Sequence, residues 1–169
     1  MDQIRRERTI HWDDPLAVAR QGQAMAGRDY LDAMCRGDLP LPPICHLLGF
    51  SISEFEEGRV AMRLVPAEYH YNPIGVVHSG VAATLLDSVM GCAVHSTLPA
   101  GRGYTTVEIK VNYLRAIIAE TGEIVAEGRV VHVGRQIGIA EGRILDAHGK
   151  LYAAGIGTCL LFDQPAARA

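Results

Sequence analysis

Gly80-Val81-Ala82-Ala83-Thr84-Leu85-Leu86-Asp87-Ser88-Val89-Met90-Gly91-Cys92-Ala93-Val94-His95 is the stretch that decides the fold. It is rich in Ala, Leu and Met, and on a helical wheel its apolar residues fall on every side. A helix that is apolar all round is a buried helix. Its longest apolar run, Val81 to Val94, contains Asp87 and is shorter than the ~20 residues a membrane span requires. The stretch therefore reads as the central helix of a soluble core.

On either side of this helix the sequence changes to a period of two. Val60, Met62 and Leu64 alternate with Arg59, Ala61 and Arg63, as in a half-buried strand. Val107, Ile109, Val111 and Tyr113 alternate with Glu108, Lys110 and Asn112 in the same way. Strand-like runs follow at 123–133, 136–145 and 151–162. Gly134-Arg135 and Ala147-His148-Gly149-Lys150 between them are short enough for hairpin turns. Hairpins imply an antiparallel sheet. The expected architecture is α+β, with a sheet of about five to six antiparallel strands wrapped around one long buried helix.

Residues 1–40 differ from the rest. Asp14-Pro15 is a helix start, a capping carboxylate followed by proline at the first helical position. One helix is expected from Leu16 to Arg36, ended by Gly37. An extended linker, Leu39-Pro40-Leu41-Pro42-Pro43, then leads to a core domain over 41–169.

Composition narrows the class. The chain has 169 residues, enough for one domain with one core. Apolar residues make up 49% and charged residues 21%, and the net charge is -3, so nothing points to nucleic acid. Cys35, Cys45, Cys92 and Cys159 form no CxxC pair and read as free thiols. Met1 to Arg8 has no apolar run of the secretory kind, so a cytoplasmic location is expected. The spacing of His46, His70, His132 and His148 is not that of metal ligands, and no metal is expected. His95, three residues after Cys92, reads as a helix-end histidine beside the C-terminal dipole. Arg102 and Lys150 read as solvated loop charges.

Two features carry chemistry. Asp87 sits in mid-helix among Leu85, Leu86, Val89 and Met90, and a carboxylate in such company must be paired or functional. His78-Ser79-Gly80 opens the helix. Free N–H groups at a helix N-terminus attract negative charge and can stabilise an oxyanion, although Ser79 could simply cap the helix.

The stretch Asn72-Pro73-Ile74-Gly75-Val76-Val77-His78-Ser79-Gly80, with Asp87 nine residues after the histidine, resembles the active-site signature of PaaI-like acyl-CoA thioesterases of the hotdog fold. Thr106-Val107-Glu108-Ile109-Lys110-Val111-Asn112-Tyr113-Leu114-Arg115 is similar to the strand that follows in that family, and the likeness covers residues 41–162. The resemblance implies hydrolysis of acyl-CoA or aryl-CoA thioesters, with coenzyme A as part of the substrate and no further cofactor. Asp87 would be the nucleophile or the general base. The Ser79 N–H would polarise the carbonyl, supported by Asn72 and His78. Thr106 would orient water, with Thr105 as the alternative. Tyr113, Arg115, Gly134 and Arg135 match positions that contact coenzyme A. The sequence departs from the family at Ser79, where glycine is usual. A backbone N–H survives that change. Ser79 as a nucleophile lacks the Gly-x-Ser-x-Gly elbow.

Geometry adds a constraint of its own. Ser79 and Asp87 are eight positions apart, about 12 Å along one helix, whereas attack on a carbonyl needs atoms within roughly 3.5 Å. One chain cannot bring both groups to one thioester. A two-fold homodimer with antiparallel helices can, giving two equal sites. The resemblance further implies a homotetramer. Two rival functions remain: a hotdog hydratase or dehydratase, whose Asp is followed five positions later by His where this chain has Cys92, and a non-catalytic acyl-CoA-binding regulator, against which Asp87 argues. The acyl pocket is expected to depend on Met90, Val94 and the Leu47-Leu48 segment.

Overall fold

The computed structural model describes residues 5–164. Residues 1–4 and 165–169, the outermost parts of the two expected segments, lie outside it, as does the Met1 to Ile4 part of the N-terminal reading. The elements in chain order are α1 (Pro15–Gly22), α2 (Gly27–Arg36), α3 (Pro43–Leu48), β1 (Phe50–Glu56), β2 (Arg59–Leu64), α4 (Ser79–His95), β3 (Arg102–Tyr113), β4 (Ile124–Val133), β5 (Ile137–Asp146) and β6 (Leu151–Asp163). The six strands form one sheet in the order β1-β2-β4-β5-β6-β3, antiparallel throughout.

The all-apolar stretch is α4, and it packs on β2 to β6. Leu85, Leu86, Val89, Met90, Ala93 and Val94 are buried there. Each large apolar side chain so buried stabilises the fold by about 1.5–3 kcal/mol. The helix lies tight against the sheet at Gly128, where a Cβ would stand 2.4 Å from the Val89 carbonyl oxygen. Only glycine admits that approach.

The N-terminal region departs from expectation. It holds two helices where one was expected. Asp14 caps α1 by accepting from Leu16 N–H at 2.9 Å, but the helix stops at Gly22. The cause is tertiary. Gly27 N–H donates to the Leu98 carbonyl at 2.9 Å, and a Cβ on Gly27 would stand 1.8 Å from the His95 carbonyl oxygen. Docking α2 against the end of α4 at this glycine forces the chain to turn before it. Gly37 closes α2 in the left-handed conformation as expected, with φ 78°. The proline-rich linker gives way at Pro43 to α3, which was not expected. Leu31 of α2 and Cys45 of α3 are buried in the same core as α4.

The strands also differ in detail. β1 was not singled out in the sequence, and β3 starts at Arg102 rather than Val107. Ala61, expected on the solvent side of β2, is only 2% exposed. It pairs across to Glu127, and the long side chains of that outer face cover it. There Glu127 accepts from Arg59 at 2.9 Å and from Arg129 at 2.6 Å, with Arg143 at 3.4 Å. Burial alone would raise the Glu127 carboxyl, but hydrogen bonds and charge from Arg59 and Arg129 overcome it and hold the pKa at about 2.

A carboxyl whose pKa is lowered by folding contributes stability above its unfolded value of 4.5 and loses it as pH falls from there towards 2. Glu127→Gln is therefore expected to cost about 1–2 kcal/mol at pH 7. The figure stays below that implied by the whole shift because Arg129 and Arg143 are half exposed and screened by water. Urea unfolding of both proteins from pH 7 to 2.5 checks this. The gap should close across the acid limb, and a constant gap would contradict the assignment.

Candidate active site

The loop before α4 is held by its own polar groups. Asn72 Oδ1 accepts from Ile74 N–H at 3.0 Å and Val76 N–H at 3.3 Å, and Gly75 takes the left-handed φ of 80° that the turn requires. His78 N–H donates to the His70 carbonyl and Val77 N–H to the Ile117 carbonyl, each at 2.8 Å. His70 anchors the base of this loop. It is buried, accepts from Ala67 N–H at 3.1 Å through Nδ1, and its Nε2 lies 2.8 Å from the Leu48 carbonyl. Burial lowers its pKa, which keeps the ring neutral and suited to that pair of bonds.

The cap of α4 is His78, not Ser79. His78 Nδ1 accepts from Gly80 N–H at 2.9 Å, and Val81 N–H donates to the His78 carbonyl at 2.9 Å. Ser79 is the first residue of α4 and is exposed. Its N–H has no intrahelical acceptor and takes no partner among the hydrogen bonds of the described residues. His78 and Asn72 thus fix the helix end from which the Ser79 N–H emerges.

Asp87 is half-buried rather than fully buried, because it meets β3 of the sheet on one side and a cavity on the other. Thr106 Oγ1 donates to Asp87 Oδ1 at 2.8 Å. The neighbouring Thr105 is exposed. A bulge between Thr106 and Glu108 opposite β6 interrupts the alternation of β3 at this point, and bulges re-aim side chains in this manner. Simple alternation therefore does not extend through Val107.

Five of the nine expected site residues line one of two separate hollows; His78, Thr106, Gly134 and Arg135 line neither. One, of about 300 Å³, holds Asp87 together with Cys92 and His95 of α4, Tyr104 of β3, and Tyr30 and Met34 of α2. The other, of about 290 Å³, holds Asn72, Ser79, Tyr113 and Arg115, with Ile117 and Tyr152 behind them. Arg115 donates to the Leu151 carbonyl. Gly134 and Arg135 are not near Tyr113. Gln136 accepts from Leu161 N–H, whereas Tyr113 pairs with Ala153, eight residues and about 26 Å away along β6. The turn at Gly134 is thus at the Thr106 end of the sheet. A wider hollow of about 410 Å³ on the outer face, lined by Arg129, Glu141 and Arg143, contains none of these residues and is an open charged surface.

Sequence reasoning missed the lining of the Asp87 hollow. Met90, Val94, Leu47 and Leu48, on which the acyl pocket was expected to depend, do not line it; Met90 and Val94 are packed in the core instead. Ser88, Cys92 and His95 follow one another at i, i+4 and i+7, a small and polar stripe on an otherwise apolar helix, which was the available signal. Burial pushes the Cys92 thiol up to about 12, so it stays protonated and is no thiolate partner for His95. Burial likewise lowers His95. Among the described residues no cluster of His, Cys, Asp or Glu could hold a metal ion, and no helix is long and apolar enough to cross a membrane.

The chain resembles known proteins in sequence and in fold. The thioesterase superfamily profile matches residues 74–153. A Halobacterium salinarum protein carried under a provisional esterase name is 33% identical, over 68% of this chain and 82% of that one. A phenylacetic acid degradation-related protein of Ralstonia eutropha JMP134, described provisionally as a thioesterase, superposes with a TM-score of 0.71 at 28% identity, covering 78% of this chain and 98% of its own. A Streptococcus mutans protein solved with acetyl CoA superposes with a TM-score of 0.62 at 25% identity, covering 68% and 90%. On its sequence and its sheet-wrapped helix alike, the chain belongs to the thioesterase superfamily and has the hotdog fold of its PaaI-type members.

Proposed function

We propose that this protein hydrolyses acyl-CoA or aryl-CoA thioesters at sites shared between two subunits. The observation that carries the reading is the split of the site residues. Asp87 and Thr106, with Gly134 and Arg135 towards the same end of the sheet, make one half. Ser79, Asn72, Tyr113 and Arg115 make the other. A two-fold axis that sets two copies of α4 antiparallel brings one half of each chain to the complementary half of the other.

The edge of the sheet supports such an axis. β3 is an outer strand of twelve residues, and Val107, Ile109 and Tyr113 on it are exposed. The sequence pattern marks these positions for burial. An exposed, long, apolar edge strand is a template for pairing with another copy. The opposite edge, β1, is short and carries Glu54 and Glu56, which blunts it.

In the reaction, the thioester carbonyl oxygen rests on the Ser79 N–H of the partner subunit, at the positive end of α4. Thr106 occupies one oxygen of Asp87 and leaves the other free. That oxygen takes the proton of an attacking water, or attacks the carbonyl itself and is released by water in a second step. The tetrahedral intermediate collapses with cleavage of the C–S bond, and the coenzyme A thiolate leaves. A thiol is far more acidic than an alcohol or an amine, so the thiolate is a good leaving group. The chemistry needs no further cofactor. The coenzyme A moiety is assigned to Tyr113 and Arg115 of one subunit and to Gly134 and Arg135 of the other. The acetyl CoA in the Streptococcus mutans relative supports this class of substrate.

The direct test is release of free thiol from a panel of short, long and aromatic acyl-CoAs. Turnover of at least one, abolished by no chelator, is the expected result. Absence of hydrolysis across the panel would sink the reading.

A further inference from the structure

We propose that the hollow beside Asp87 is a ruler for the acyl chain, that Tyr30 of the N-terminal helices is its end stop, and that it takes apolar acyl groups of about eight to ten carbons. The inference rests on the thioesterase reading above and names the substrate class of that site.

The hollow follows α4. Its lining includes Asp87 at one end and His95 at the other, with Cys92 between. Asp87 and His95 are eight residues apart, about 12 Å along the helix. An extended chain advances about 1.2 Å per bond, so roughly ten bonds fit between the carboxylate and the histidine. The volume agrees. A cavity of about 150 Å³ takes benzene, and this one is about 300 Å³.

At the His95 end the rings of Tyr30 and His95 line both this hollow and a second one of about 310 Å³, and so stand between the two. Tyr30 and His95 stand 5.5 Å apart between centroids, and His95 and Tyr104 5.4 Å. Tyr30 is itself held from behind, since a Cβ on Gly22 would stand 2.5 Å from its ring. Gly91 similarly leaves room for Tyr104. Leu31 and Met34 of α2 and Ile44 of α3 complete the apolar wall. All of these N-terminal residues lie outside the span matched by the superfamily profile, residues 74–153. The same catalytic core can therefore be given a different length limit by the segment in front of it.

The test uses the full-length protein and straight-chain acyl-CoAs from acetyl to hexadecanoyl in two-carbon steps. kcat/KM is read by thiol release, and Kd by calorimetry in an Asp87→Asn background. Wild type should peak at about eight to ten carbons in both. Tyr30→Ala removes about 4–5 Å of end wall, so the peak should move up by about three to four carbons. The ratio of dodecanoyl to octanoyl kcat/KM should rise by at least about 15-fold, since two to four methylenes of the longer chain become buried and each is worth about fourfold. Ile44→Trp, at a position that is 39% exposed and tolerant of bulk, should move the peak down, and it decides the matter if Tyr30→Ala does not fold. Length profiles identical to wild type in the folded variants would overturn the ruler while leaving the thioesterase reading intact. A binding profile that shifts as expected in a protein that hydrolyses nothing would uphold the ruler and overturn the hydrolase. No binding of any acyl-CoA would overturn both.

Discussion

Asp87→Asn is expected to fold as wild type does and to lose about 10²–10⁴-fold in kcat, the usual contribution of a general acid–base group. Asparagine has the size and shape of aspartate, and its carbonyl oxygen can accept the Thr106 hydroxyl in place of Oδ1, which now lies 2.8 Å away. The Thr106 hydroxyl keeps an acceptor, and the new amide N–H group of this half-buried residue faces the hollow, where water can accept from it, so the melting temperature should change little. What is lost is the second oxygen as a base or nucleophile. Steady-state thiol release on the best substrate, with a thermal melt of the same sample, checks both halves. Wild-type turnover in the folded variant would remove Asp87 from the chemistry.

The second large effect is at Ser79. Its assigned contribution is a backbone N–H, which every residue but proline retains. Ser79→Gly should remain active, and Ser79→Ala nearly so. Ser79→Trp keeps the N–H but fills the seat of the carbonyl, and should lose at least about 10²-fold, comparable with removing an oxyanion donor. Ser79 is exposed at the start of α4, so the bulk has room in the isolated chain and folding should survive. A folded Ser79→Ala without activity, or an acyl-serine trapped in mass spectrometry, would point instead to a hydroxyl nucleophile.

Much of the fold could be read from residues. α4 was legible because its apolar residues fall on all sides, a pattern that only a buried helix produces. β2, β4, β5 and β6 were legible from alternation and hairpin-length turns. β1 was not. Its register shifts between Ile52 and Glu54, which puts Phe55 out of phase with Phe50 and Ile52 and breaks the period of two. The interruption between α1 and α2 was hidden for a different reason. Glycine is tolerated within helices, and only the contact of Gly27 with the His95 carbonyl makes it a breakpoint.

The candidate site divides in the same way. Asp87 and the α4 N-terminus stood out locally, as a charge among apolar residues and a helix start. The choice between Thr105 and Thr106 beside Asp87 depended on a bulge that single-strand alternation cannot reveal. Tyr30 and Met34, at i and i+4, look like any amphipathic stripe. Their place opposite His95 depends on how α2 docks, which is tertiary information.

The proposed sites each take Asp87 from one chain and Ser79 from the other. Differently tagged Asp87→Asn and Ser79→Trp chains, co-expressed and purified together, decide whether the sites are shared in this way. A mixed dimer has one site with both lesions and one with neither. Random pairing at equal expression puts half of the dimers in that form, each with one of two sites intact, so about a quarter of wild-type activity should return although each variant alone is nearly inactive. No recovery in a purified, folded heterodimer would mean that each chain builds its whole site by itself.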